Sequence, residues 1–181
     1  MPVRETNLIV GSRFRRDAAD VDLGLAYGLS DHWEISAQTG TDLGEGALRW
    51  RMGEQSQFPL DIGALALGRY SLTGGRELLA GPVAGFQWKE QEYTLNLLAG
   101  TRDAGGGFTG LAAWRSPYWL ESVRLGLEGV LQNTSSGQDL GLIPQASLDL
   151  PGDLSLNAGV QVGPVSWKAL LRLSYLLFPN P

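Results

Sequence analysis

The only histidine of the chain, His32, directly follows Ser30 and Asp31. A hydroxyl, a carboxylate and an imidazole can together run nucleophilic catalysis, so this triplet is the first candidate for chemistry. Yet it stands between two alternating apolar runs, where Ser and Asp are ordinary turn residues, and it reads as a turn. Cysteine is absent, which removes disulfides, thiolate metal sites and cysteine nucleophiles together. With one histidine, a His-rich metal site has no second ligand. Glu34 and Asp61 could form an acid–base pair, but nothing in their spacing joins them. Gly105-Gly106-Gly107 would cradle a phosphate only ahead of a helix, and none follows; it is expected to be a flexible loop. No catalytic residue, metal or cofactor is predicted, and the chain is not expected to be an enzyme.

A larger charged set remains: Arg13, Arg15, Glu34, Arg49, Arg51, Asp61, Arg69, Arg124, Glu128, Lys168 and Arg172. Alternation puts these on one face together with Asp22, Gln38, Gln87, Asn96, Arg102, Gln132, Gln145, Asn157 and Gln161. Such a face has two uses. Arginine–carboxylate pairs can fill and brace an interior, since buried charges are costly unless paired. The same side chains can line a polar passage, and the arginine excess in this set then favours small anions or uncharged polar solutes.

Period-two alternation must position them. In Val21 to Gly28 large apolar residues occupy the odd positions, and His32 to Thr39 sets Trp33, Ile35 and Ala37 against Glu34, Ser36 and Gln38. Continued along the chain, this gives about twelve strands. They run Asn7 to Arg15, Asp20 to Leu29, His32 to Gly40, Glu45 to Met52, Leu60 to Leu72 and Glu77 to Lys89. The second half holds Glu92 to Arg102, Phe108 to Arg115, Ser122 to Gln132, Gln138 to Leu150, Leu154 to Val162 and Val165 to Leu177. Short Gly, Asp, Ser and Pro segments separate them. The predicted domain is one all-β barrel over 7–178, with tails at 1–6 and 179–181. Pro82 and Pro144 fall inside strands, which predicts bulges or redrawn ends there.

Aromatic residues mark the strand ends. Tyr27, Trp33, Trp50, Trp88, Tyr93, Trp114 and Tyr175 gather at one set of turns, while Phe14, Tyr70, Phe108 and Trp167 gather at the other. Two belts around an apolar band suit a barrel in a bilayer, because amphipathic rings settle at the headgroups. A soluble sandwich would keep its bulkiest side chains mid-strand. No run of about 18 apolar residues exists, so a transmembrane helix is not expected. The formal net charge of -5 argues against a nucleic-acid partner.

The segment Tyr27-Gly28-Leu29-Ser30-Asp31-His32-Trp33-Glu34-Ile35 resembles the strand–turn–strand of Gram-negative outer-membrane β-barrel proteins, its turn held between girdle aromatics. The resemblance implies an antiparallel up-and-down transmembrane barrel in the outer membrane, with both termini on the periplasmic side. The segment before Asn7 has no apolar h-region of a signal peptide, so this localisation implies a leader not carried here. Membrane lipid and small solutes or ions are the expected partners. The expected function is a narrow pore for small polar or anionic solutes, with a structural or assembly barrel as the alternative. The apolar loop Pro117-Tyr118-Trp119-Leu120 either extends the belt or docks a protein partner.

Overall fold

A computed structural model describes residues 6–14, 19–41, 43–52, 60–71, 74–103, 105–119, 122–134, 137–151, 154–162 and 167–176. Their side chains are described except at 6–9, 11–14, 19–20, 134, 167, 168, 170 and 176. The described residues form strands β1 (Thr6–Phe14), β2 (Ala19–Gly28), β3 (Trp33–Gly40), β4 (Leu43–Arg51), β5 (Leu60–Ser71) and β6 (Arg76–Trp88). After them come β7 (Gln91–Arg102), β8 (Gly105–Arg115), β9 (Val123–Thr134), β10 (Gly137–Leu150), β11 (Leu154–Val162) and β12 (Trp167–Leu176). Each strand pairs antiparallel with its chain neighbours, and β1 pairs with β12 from Asn7↔Leu176 to Phe14↔Ala169, so the sheet closes into a barrel.

Closure fixes two rims. The terminal rim holds the start of β1, the end of β12 and the turns after β2, β4, β6, β8 and β10; the far rim holds the other turns. It also fixes two faces, because directly opposed residues in a ladder share a face. Val10, Leu23, Leu25, Ile35, Leu48, Ile62, Leu78, Leu95, Leu97, Leu125, Leu127, Leu131, Leu140, Leu142, Val160 and Leu173 all lie on the outside and are exposed. A water-soluble domain would bury these aliphatics. Here they form the continuous apolar wall that a strand barrel presents to lipid.

The inner face is uneven. Leu67 on β5, Leu79 on β6 and Leu98 on β7 point inward and pack together, with Ala47 and Leu65 against them. Backbones of β6 and β7 approach closely beside this cluster. A Cβ on Gly81 would stand 2.0 Å from the Leu97 carbonyl oxygen, and one on Gly100 the same distance from that of Leu78. Only glycine permits backbones to meet so closely, the device that turns a sheet at a barrel corner.

Two expectations change. Gly105-Gly106-Gly107 is not a loop: it opens β8, laddered through Thr101↔Gly106 and Arg102↔Gly105. Pro82 and Pro144 neither bulge nor end a strand. Both face outward within β6 and β10, and one ladder skips beside each while keeping its register: Ala80↔Ala99 resumes at Val83↔Asn96, and Leu142↔Val162 at Gln145↔Gly159. A proline lacks the N–H that would close the skipped pairs.

Candidate pore lining

The register brings the inward charges into three groups. Along the far rim, Glu45, Arg69, Glu77 and Arg102 are successive cross-strand partners on β4 to β7. Arg69 Nε donates to Glu45 Oε2 at 2.7 Å and its Nη1 to Glu77 Oε2 at 3.2 Å. Arg102 pairs with the other oxygen of Glu77 and reaches Thr109 Oγ1 at 3.4 Å. At the terminal rim, Arg49 faces Asp61 at 3.7 Å and Arg51 faces Glu34 at 3.6 Å.

The third group lies where β8 and β9 leave the terminal rim. Glu92 accepts from Arg115 Nη1 at 3.1 Å and from Arg124 Nη1 at 2.7 Å. Arg124 also donates from Nε to the Ser116 carbonyl at 3.1 Å, and its guanidinium lies over the Tyr118 ring. The Tyr118 hydroxyl donates to Asp149 Oδ2 at 2.7 Å. That hydrogen bond, added to slight burial, raises the Tyr118 hydroxyl above the usual tyrosine range. The loop is therefore divided: Tyr118 joins the lumen mouth, whereas Trp119 is two-thirds exposed. Leu120 lies outside the described residues.

Between the third group and the opposite wall is a cavity of about 490 Å³. It runs from Tyr118 and Asp149 at the terminal rim to Asp22 and Gln38 on β2 and β3, and Gln145, Asn157 and Arg172 line its side. The aliphatic cluster fills one side of the lumen and this polar cavity occupies the other, so open space lies off-centre.

Of the predicted lining residues, Glu34, Arg49, Arg51, Asp61, Arg69 and Arg124 sit in these ion-paired groups. Glu128 and Arg172 face the cavity. Arg15 lies outside the described residues. Arg13 and Lys168 occupy inward register positions, opposite Leu170 and Gln161, and their side chains are outside the described set. Sequence reasoning left out inward Glu45, Glu77, Glu92, Asp139, Asp149 and Arg115. With these acids included, the arginine excess disappears among the described residues.

The terminal-rim aromatics on the strands point outward. Trp33 and Trp50 are direct partners, as are Tyr93 and Trp114; Phe86 stacks on Tyr93 with centroids 4.6 Å apart. Gln91 Oε1 accepts from both the Tyr93 hydroxyl and the Trp114 indole, at 2.6 and 3.0 Å. Tyr27, Trp88 and Tyr175 share this rim and face, and Trp167 stands at an outward position of the far rim, its side chain outside the described set. His32 stays in its exposed turn, its backbone N–H donating to Ser30 Oγ. No metal-holding group of His, Asp and Glu occurs among the described residues.

Twelve antiparallel strands, closed, with aliphatics outside and charges inside, define an antiparallel β-barrel of the membrane-spanning kind. Solved structures bear out that fold. The chain is similar to the KdgM porin in complex with disordered oligogalacturonate, at TM-score 0.77 and 10% identity over 93% of this chain and 98% of that one. It is similar to the NanC porin at TM-score 0.72 and 9% identity, covering 93% and 97%. An outer-membrane channel from Pseudomonas putida F1 follows at TM-score 0.64 and 12% identity, covering 98% and 97%. These neighbours are channels rather than enzymes. No family model matches the chain, and no curated protein matches it.

Proposed function

We propose that this chain is a narrow passive pore of the bacterial outer membrane, passing small polar solutes and ions, with membrane lipid around it. The observation that carries this reading is the pairing of an exposed aliphatic exterior with a charged, partly open interior. Twelve strands enclose more room than eight, whose interior side chains fill, and less than the sixteen that give a wide aqueous channel. The lining consists of Glu34, Arg49, Arg51, Asp61, Arg69, Arg124, Glu128 and Arg172, with Arg13, Arg15 and Lys168 as further candidates. Most of the described arginines meet carboxylates, so the pore discriminates weakly between simple anions and cations.

Tyr27, Trp33, Trp50, Trp88, Tyr93, Trp114 and Tyr175 anchor the terminal rim at a headgroup layer, which we assign to the periplasmic side; Trp167 anchors the far rim. Trp119 extends that belt.

A second reading, a bracing barrel without transport, draws on the packed Leu67, Leu79 and Leu98. Planar-bilayer recording separates the two. Small discrete conductance steps with near-equal cation and anion permeability are expected, and a stably inserted but silent barrel would defeat the pore reading.

A further inference from the structure

Two formal charges in the cavity wall stand apart from the others. Arg115, Arg124 and Asp149 are each held by a partner: Glu92 takes the two arginines, and Tyr118 takes the aspartate. Asp22 is engaged as well. Glu128 on β9 and Arg172 on β12 are not: among the described residues neither makes a hydrogen bond or an ion pair. They still act on each other electrostatically across the space between them.

The register sets their separation. Glu128 is opposite Ile143 on β10, and Arg172 is opposite Asn157 on β11. Three strand spacings, about 14 Å, separate β9 from β12, and the register staggers the two residues by four positions (Ile143 against Ser147 on β10), about 13 Å, so their backbones stand about 19 Å apart along the wall. Because the wall curves, both side chains reach into the same cavity. Uncharged donors and acceptors from Gln145 and Asn157 fill the wall between them.

We propose that this gap selects small zwitterions, α-amino acids above all, by holding the ammonium at Glu128 and the carboxylate at Arg172. This inference rests on the pore reading. A simple anion drawn to Arg172 is repelled by Glu128, and a simple cation meets the reverse. A neutral polyol leaves both charges without a counter-charge. Only a solute carrying both signs satisfies the two ends at once, through a charge-assisted hydrogen bond of about 2.8 Å at each.

The test is solute-driven swelling of proteoliposomes containing the purified barrel, with L-serine, erythritol and glycerate as zwitterion, neutral and anion of similar size. The readout is the ratio of rates within one preparation, so differences in folded yield divide out. Serine is expected to outpace erythritol roughly fivefold, a factor set by charge-assisted bonds at both ends. Glu128→Gln should lower the serine-to-erythritol ratio and raise glycerate, whereas Arg172→Gln should lower both serine and glycerate relative to erythritol. Exchanging the charges, Glu128→Arg with Arg172→Glu, should restore serine preference. Equal serine and erythritol rates in the unmodified protein overturn the inference while the pore reading stands. Ratios unchanged in the single variants overturn the assignment to these two residues. Absence of swelling with every solute removes the pore reading and this inference with it.

Discussion

Glu77 is the hinge of the far-rim arc, because each of its oxygens serves a different arginine. Glu77→Gln keeps the shape but leaves Arg69 and Arg102 short of charge. The lumen admits some water to Arg69, so the expected cost is about 2 kcal/mol, below the 3–5 kcal/mol typical when a fully buried pair is broken. The midpoint of urea-induced unfolding in lipid vesicles measures it. Arg115→Gln is the contrasting case. Its guanidinium and its partner Glu92 are both substantially exposed, and Glu92 keeps Arg124, so a loss under about 1 kcal/mol is expected in the same assay. Parity in the sequence placed Arg69 and Arg102 on the inner face without difficulty. It passed over Glu45, Glu77 and Glu92 because each opens a predicted strand, where turn and strand residues look alike. The ladder resolves them, since Glu45 lies opposite Arg69, Glu77 opposite Arg102 and Glu92 opposite Arg115.

At the level of the strand, the close approach of β6 and β7 depends on missing side chains. Gly100→Ala would drive a methyl into the Leu78 carbonyl, and Gly106→Ala, with nothing within 4 Å, would meet open space. The first should lose at least about 2 kcal/mol and most of its folded yield, as expected of backbone crowding, and the second should change little. Heat-modifiable migration in electrophoresis reports the folded fraction of each. The twelve strands were legible in the sequence because one face is apolar throughout, which makes alternation plain from Val21 to Tyr175. The triple glycine was not legible. Its composition is that of a loop, and only the backbone of Thr101 and Arg102 on the neighbouring strand makes it a strand. The prolines misled in the opposite sense, for a ladder can skip beside Pro82 or Pro144 while the strand continues.

For the molecule as a whole, the decisive property is an apolar surface turned outward. Leu97, midway along β7 and exposed, should tolerate charge poorly: Leu97→Arg is expected to cost about 2–4 kcal/mol in lipid, falling toward zero for Thr101→Arg near the strand end. A similar cost at both depths in vesicle unfolding would refute a bilayer around the strands. Location was legible in the sequence from the aromatic ends. The off-centre opening was not, because Leu67, Leu79 and Leu98 are scattered along a face that also carries the charges, and only folding gathers them. Closure of β1 on β12 has one more consequence. A ring of twelve regular antiparallel ladders contains no privileged seam, so the order in which the strands are synthesised is separable from the object they form. Joining Thr6 to Leu176 by a short linker and opening the chain between Ser30 and Asp31, at an exposed turn, should give a circular permutant with the same barrel. Its conductance would match the original trace.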